Sequence, residues 1–374
     1  MGSIAVFGAA GQVGSGVLRT LAAAPDVTRL DAFDVKSGPL EIEATDAAMI
    51  AEKLRAQSLQ MGVGVVDMSD EEQLAQTLVD AQPDVIVQAA IPRSWYSFSQ
   101  ILSPAMWQRV NTEVRMGPWL PLFLVLPFRL MRARKLAGLT TPVVQISYPD
   151  VVNAVLGAMG MAPACGAGNS ENIATVMRLV AARRLCLPTK DVTVALVAHH
   201  FHAWSLVSQE DDHERRVERP FRFRIHAHQV DVTADLDTRD FWAEVKGHYP
   251  HKRPLFAATS AAKNVLRILR DDRSLSHVSS PAGRGAGFDT RLGRKGAEVV
   301  LPPQMSEAEA DALIAKAQAG DGIERIEAGG AVRFTDVAYE AMKGVLGYDC
   351  RVLAPDEIVG RADELVARLE SARK

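Results

Sequence analysis

Along the first 150 residues, short apolar runs alternate with stretches whose apolar positions recur at helical spacing. Residues 4–7 form the first run, Val17, Leu18 and Leu21 open a helical repeat, and Gly8, Gly11 and Gly14 stand between them. That order predicts a buried strand, a tight turn and a helix start. Residues 29–34 read as a second strand ending in Asp34, and residues 63–67 as a third. Ser69 is placed to cap a helix through Leu74, Leu78 and Val79. Residues 84–89 predict a short buried strand whose small final residues leave room for a ligand in a sheet crevice. Residues 91–97 read as an exposed loop over that crevice, a helical region runs through Trp107, Val110 and Val114, and residues 142–147 supply another buried strand.

The pattern changes beyond residue 150. A small-residue loop at 164–169 precedes a helix through Ile173, Val176 and Val180, and a strand at 192–197 runs into His199, His200 and His202. Residues 222–237 alternate loosely, as antiparallel strands with one wet face do. A helix at 255–269 and a strand at 297–301 follow, and Ser306 and Glu309 have the spacing of a capping box. The last segment carries Tyr339, Met342 and Leu346 at helical spacing and ends in a helix entered at Pro355. These elements predict an α/β fold: a doubly wound parallel sheet of the Rossmann type over 1–150, then an α+β substrate domain over 151–319. The extension at 320–374 is expected to pack on the second of these domains.

Composition narrows the class of partner. The 374 residues are 48% hydrophobic and 23% charged, as in ordinary globular proteins, and the net charge of −3 gives no general attraction to nucleic acid or to an anionic membrane. Cys165, Cys186 and Cys350 are too few and too scattered for a disulfide framework, which favours the reducing cytoplasm. No secretory signal is expected ahead of a strand that starts by residue 4. The most apolar stretch, residues 119–131, contains Pro121, Pro127 and Arg129 and is too short to cross a bilayer, so it reads as a buried or subunit-facing helix.

The glycines carry the first chemistry. Gly8 can take backbone angles closed to other residues, Gly11 leaves room for close approach, and Gly14 lets helix and strand pack closely, so the turn suits a diphosphate at a helix N-terminus. Asp34 stands 20 residues beyond Gly14, where a carboxylate accepts hydrogen bonds from the adenosine ribose and repels a 2′-phosphate. The expected cofactor is therefore NAD rather than NADP, although Lys36 stands close by. In the loop that follows the fourth strand, Arg93 is a candidate contact for a substrate carboxylate or a cofactor phosphate.

In this order the features resemble the lactate/malate dehydrogenase family over roughly residues 3–318. Residues 8–14, Gly-Ala-Ala-Gly-Gln-Val-Gly, look like the cofactor loop of malate dehydrogenases, with Gln12 and Val13 inside it. Phe33-Asp34-Val35 looks like the ribose-binding strand end, and residues 40–46 like the segment after it. Ala89 lies in the run 85–90 that stands where the family has its apolar strand into Ala-Gly, and Asn111 resembles the asparagine beside the nicotinamide. Residues 301–307 resemble the family's late strand and last helix. The resemblance implies hydride transfer between NAD and a hydroxy acid, a small-molecule substrate and a homodimer or homotetramer. It places His200 in the slot of the catalytic base, which suits a side chain that titrates near neutrality.

The chain departs from that pattern where substrate is handled. Tyr148-Pro149 stands in place of the family's Asn-Pro, and no mobile-loop arginine is evident near Ser103 and Pro104. The slots of the orienting aspartate and of the carboxylate-binding arginine fall near Asn172 and Thr175. An amide can position an imidazole without stabilising its cation, and threonine cannot replace a guanidinium fork. The expected activity is therefore on a hydroxyl or ketone substrate other than plain lactate or malate, with His200 and Asn172 catalytic and Arg93 and Thr175 at the substrate. Two alternatives stand beside it. Cys165 and His200, in passages that loosely resemble the NAD- and manganese-dependent glycosidases, are candidate ligands of a metal in a sugar-acting enzyme. A dinucleotide-binding protein without catalysis is the other.

Overall fold

The computed structural model describes residues 2–207, 221–249 and 253–373. Six short strands build its central sheet: β1 (Gly2–Phe7), β2 (Val27–Asp34), β3 (Gln60–Val65), β4 (Val85–Gln88), β5 (Val143–Gln145) and β6 (Cys165–Gly166). They pair in the order β3-β2-β1-β4-β5-β6, parallel throughout, so the chain reverses its winding between β1 and β4. Strands buried on both faces need apolar residues at successive positions, which Ile4-Ala5-Val6-Phe7 and Val85-Ile86-Val87 supply.

The first half contributes α1 (Gln12–Ala22), α2 (Ser37–Leu54), α3 (Glu71–Ala81), α4 (Trp95–Ile101), α5 (Pro104–Arg109), a π-helical turn at Val110–Val114, α6 (Leu120–Leu136) and α7 (Pro149–Ala158). The cap of α3 is Asp70, whose carboxylate accepts the Gln73 N–H at 3.0 Å, and not Ser69. Ser69 instead donates its own N–H to Asp67. The stretch read as a loop over the crevice turns helical at Trp95, because its ring packs against Phe98, Trp107 and Trp119.

The second half contains α8 (Ser170–Arg184), β7 (Val192–Val197), α9 (His200–Val207), β8 (Arg222–Ala227), β9 (Val230–Asp231), α10 (Thr233–Leu236), α11 (Arg239–His248) and α12 (Pro254–Arg270). Then come β10 (Leu275–Val278), β11 (Phe288–Gly293), β12 (Gly296–Val300) and α13 (Glu307–Gly320). β7, β8 and β9 form one antiparallel sheet and β10, β11 and β12 another, joined by a bridge between Ala198 and Gly287. The expected antiparallel pair at 222–237 is present as β8 and β9, with α10 closing it. The Ser306–Glu309 capping box opens α13.

Two cores sandwich the parallel sheet. On one face Ile4, Val6 and Leu30 meet Leu18 and Leu21 of α1 and Val265 and Ile268 of α12. On the other, Phe7 and Ile86 meet Leu74 of α3 and Leu122 and Phe123 of α6. The last fifty residues form β13 (Ile323–Ile326), β14 (Val332–Phe334), α14 (Asp336–Leu346), β15 (Val352–Leu353) and α15 (Ile358–Ser371). They pack on the first domain, against α6, rather than on the second as the sequence led us to expect. The reason lies in α6, which buries Leu120, Leu122, Phe123, Leu124, Val125, Phe128 and Leu130 around most of its circumference. A helix apolar all round needs cover all round, and the sheet covers one side only. Leu365 and Leu369 of α15 cover another. No single helix among the described residues is long and apolar enough to cross a membrane.

Leu365 is fully buried at this seam, so Leu365→Ala is expected to cost about 2–5 kcal/mol of stability. Replacing its exposed neighbour Asp363 by Ala is expected to cost less than about 0.5 kcal/mol. Guanidinium unfolding midpoints of the two variants check this, and equal midpoints would show that α15 is not seated on α6.

Candidate active site

A cavity of about 920 Å³ opens at the carboxyl ends of β1, β4 and β5, where the winding of the sheet reverses. Open α/β sheets bind ligands at this place. Gly8, Gly11, Gln12, Val13, Asp34, Ala89 and Asn111 all line it. Gly8 has φ +84°, and a Cβ built on it would lie 2.5 Å from the Ala90 nitrogen. Gly14 stands behind the turn, where a Cβ would fall 2.0 Å from the Gly8 carbonyl oxygen and push α1 off the strand. The first-turn N–H groups of α1 have no partner within the helix and make the floor of an anion cradle. Asp34 accepts the N–H groups of Ala10 and Lys36, each at 3.1 Å, which fixes its carboxylate beside the cradle. Asn111 sits in the π-helical turn; its amide donates to the Trp107 carbonyl at 2.8 Å, and its Oδ1 is buried without a partner among the described residues. These residues fit a dinucleotide: small backbone surfaces for the diphosphate, a carboxylate for a ribose, and an unmatched amide oxygen at the far end.

Of the three clustered histidines, only His200 lines the cavity. His199 is fully buried, its Nδ1 accepts the Phe201 N–H at 3.1 Å, and burial pushes its pKa down to about 4, which keeps it neutral. His202 turns its Nδ1 to the His199 N–H at 2.9 Å. These two hold the first turn of α9 in place. The His200 ring is 19% exposed, and its Nδ1 lies 2.8 Å from Oδ2 of Asp321.

Asp321 caps the C-terminus of α13, and its side chain is 4% exposed. Besides His200 it accepts the Tyr148 hydroxyl at 3.0 Å. Tyr148 reaches it from a left-handed backbone position (φ 44°, ψ 53°) just ahead of α7, and its ring meets that of His200 edge-on at 5.0 Å. Burial and Asp321 drive the tyrosine pKa well up. Burial raises the Asp321 carboxyl while His200 lowers it, and the net direction is down. Burial lowers the His200 pKa and Asp321 raises it, with a net rise. Close to His200 lies Asp150 of α7, wholly buried, with no hydrogen-bond partner of good geometry on either oxygen among the described residues. Burial pushes its pKa up to about 7 against the lowering influence of His200.

The side chain hydrogen-bonded to His200 Nδ1 is therefore Asp321, and not Asn172 of α8. Asn172 lines the same cavity, but the His200 nitrogen it was to hold is taken by Asp321. Thr175, one turn further along α8, is not among the residues that line the cavity. Arg93 lines the rim, with its guanidinium 2.6 Å from Glu370 of α15. Cys165 is buried in the core with Val144 and Ala167, and burial pushes its thiol up to about 12. A neutral thiol in an apolar core is no metal ligand. No cluster of three metal-ligating side chains stands around His200 or elsewhere among the described residues. The donor set thus does not fit the metal-assisted reading.

Arg115 also lines the cavity, and the sequence reading passed over it. Its backbone (φ 60°, ψ −158°) lies in a region that glycine alone enters readily, at a cost of about 1–3 kcal/mol to other residues. Its Nη1 donates to the Asn111 carbonyl at 2.8 Å. Two residues on, the Gly117 N–H donates to the backbone carbonyl of Asp321 at 2.7 Å, an approach that a Cβ on Gly117 would block.

No protein-family model and no curated protein matches the sequence. Solved structures do match in three dimensions. The apo malate dehydrogenase of Picrophilus torridus superposes with a TM-score of 0.59 at 17% identity, over 98% of each chain. A lactate dehydrogenase from a Medee basin deep-sea metagenome gives 0.58 at 11% identity, over 85% of this chain and 96% of that one. The malate dehydrogenase of Plasmodium falciparum in complex with NADH gives 0.54 at 16% identity, over 86% and 97%. From the glycine turn to the antiparallel sheets of its second half, the chain has the fold of the malate and lactate dehydrogenases.

Proposed function

We propose that the chain is an NAD-dependent oxidoreductase that moves a hydride between NAD and a hydroxyl or ketone carbon of a small substrate other than lactate or malate. The observation that carries this reading is that one cavity holds both the glycine cradle with Asp34 and the His200–Asp321 pair. Gly8, Gly11, Gln12 and Val13 would hold the diphosphate, Asp34 the ribose, and Asn111 the far ring. Bound there, NAD supplies the hydride acceptor.

The protein's own part is acid–base chemistry. With Nδ1–H donated to Asp321, His200 carries its lone pair on Nε2, the tautomer that accepts the proton of a substrate hydroxyl. As the C–H bond gives up its hydride, the O–H proton passes to Nε2 and a carbonyl forms. Asp321 then faces a full imidazolium across 2.8 Å, and Tyr148 keeps the carboxylate from turning away. In reduction the same proton returns to the oxygen. Because the slot of the family arginine on α8 is Thr175, the substrate is held differently from lactate or malate.

His200→Asn is expected to abolish turnover while leaving NADH binding, read by fluorescence titration, unchanged; turnover that survived would remove His200 from the role of base. Asp321→Asn is expected to lower kcat/KM for oxidation by roughly 10²–10⁴-fold. Oxidation needs neutral His200, so its rate climbs with pH to a plateau above the histidine pKa. Asp321 raises that pKa, and the variant's rising limb is expected at lower pH. Asp150 gives a stability test. Between about pH 4 and about pH 7 the folded carboxyl keeps a proton that the unfolded chain has lost, so stability falls as pH rises through this window. Asp150→Asn escapes that loss, and its melting temperature relative to the parent is expected to climb over the same window and level off above it.

A further inference from the structure

The wall of the cavity beside His200 is built from rings and methyl groups. The His200 ring meets that of Tyr148 edge-on at 5.0 Å, and Tyr148 meets Phe123 of α6 edge-on at 6.0 Å. All three line the cavity. Leu126 stands one turn beyond Phe123 on α6, and Met116 lies on the strap that leads into that helix; both are half-buried and line the cavity too. On α9 the residue one turn beyond His200 is Ala203, which adds only a methyl group to the wall.

The fixed charges beside that wall are carboxylates. Asp321 lies 2.8 Å from His200, and Asp150 is wholly buried close by. The arginines among the described residues that line the cavity are engaged elsewhere. Arg93 is ion-paired with Glu370 at the rim, Arg253 donates to the carbonyls of His248 and Tyr249, and Arg115 donates to the Asn111 carbonyl. The positive charge that arises on His200 during turnover is already matched by Asp321. A carboxylate brought against His200 would leave water to stand beside Asp321, and like charges so close oppose binding. An apolar group instead displaces water from Phe123, Leu126 and Met116, and edge-to-face ring contacts add to the gain.

We propose that this end of the cavity takes an uncharged substrate: a ketone, or the matching secondary alcohol, whose reacting carbon carries an apolar, ring-sized group and no carboxylate. The inference rests on the dehydrogenase reading above and names the substrate class for it. The apolar group lies against Phe123, Leu126 and Met116, with the carbonyl oxygen toward Nε2 of His200. In reduction His200 gives its Nε2 proton to that oxygen while the carbonyl carbon takes the hydride of NADH, which leaves NAD and the secondary alcohol. Orientation comes from the shape of the apolar wall and from one hydrogen bond to the histidine.

The test uses the full chain and two probes that share one ketone skeleton: benzoylformate, which carries a carboxylate on the reacting carbon, and its uncharged methyl ester. NADH binding is read first, by fluorescence titration. The loss of NADH absorbance then gives turnover, and kcat/KM for the ester is expected to exceed that for the acid by roughly 30-fold or more. With NAD, which has no hydride to give, the ester is expected to raise the melting temperature and the acid at equal concentration to leave it unchanged. Leu126→Ala is expected to raise KM for the ester roughly 10-fold or more and to keep the NADH dissociation constant within about threefold. An ester left unreduced would overturn the proposal, as would an acid that matched the ester in either measurement; an acid reduced in its place would leave the dehydrogenase reading standing. An unchanged KM in L126A would overturn the placing of the apolar group against α6. Wild type that takes no NADH would remove the dehydrogenase reading itself, and that outcome is seen before either probe is added.

Discussion

A carboxylate removed from water has to be answered by hydrogen bonds, and Asp321 is the one around which the site closes. Its side chain is met by the Tyr148 hydroxyl and the His200 ring, and its backbone carbonyl by the Gly117 N–H. Those partners come from the segment after β5, the start of α9 and the strap ahead of α6. One buried charge therefore ties the end of α13 to both halves of the molecule. The left-handed turn at Tyr148 belongs to the same arrangement, because it aims the phenol at the carboxylate.

Local chemistry was legible in the sequence. The glycine turn, its strand and its helix could be read from spacing, since a tight turn and a close approach are demands made by neighbouring residues on one another. Asp34 follows from the same logic, being the end of the next strand in the sheet. His200 also stood out, because a strand running into histidines is a local pattern; that His199 and His202 serve the backbone of α9 was not readable, since it depends on which ring faces inward.

What could not be read is long-range pairing. Asp321 is separated from His200 by 121 residues, and nothing in a lone Asp between two glycines at a helix end announces a partner so far away. Asn172 was inferred from spacing to the histidine and does reach the cavity, yet the His200 Nδ1 is met by another segment. Cys165 looked chemical because it sits in a glycine-rich loop; in three dimensions that loop is a sheet edge strand, and the thiol fills core space. Arg115 was hidden because a π-helical turn has no apolar periodicity of its own. The seating of 320–374 was missed for a related reason, since the apolar circumference of α6 says that cover is needed without saying which segment supplies it.

The position of Asp321 also bears on how the molecule is made. The glycine cradle and Asp34 leave the ribosome early, and chains tend to fold from the N-terminal side as they emerge. His200 and Asp321, by contrast, cannot meet until synthesis has passed residue 321. A nascent chain halted earlier holds the glycine turn without the carboxylate that pairs with His200, so the two ends of the cavity are completed at separate moments in the life of the polypeptide.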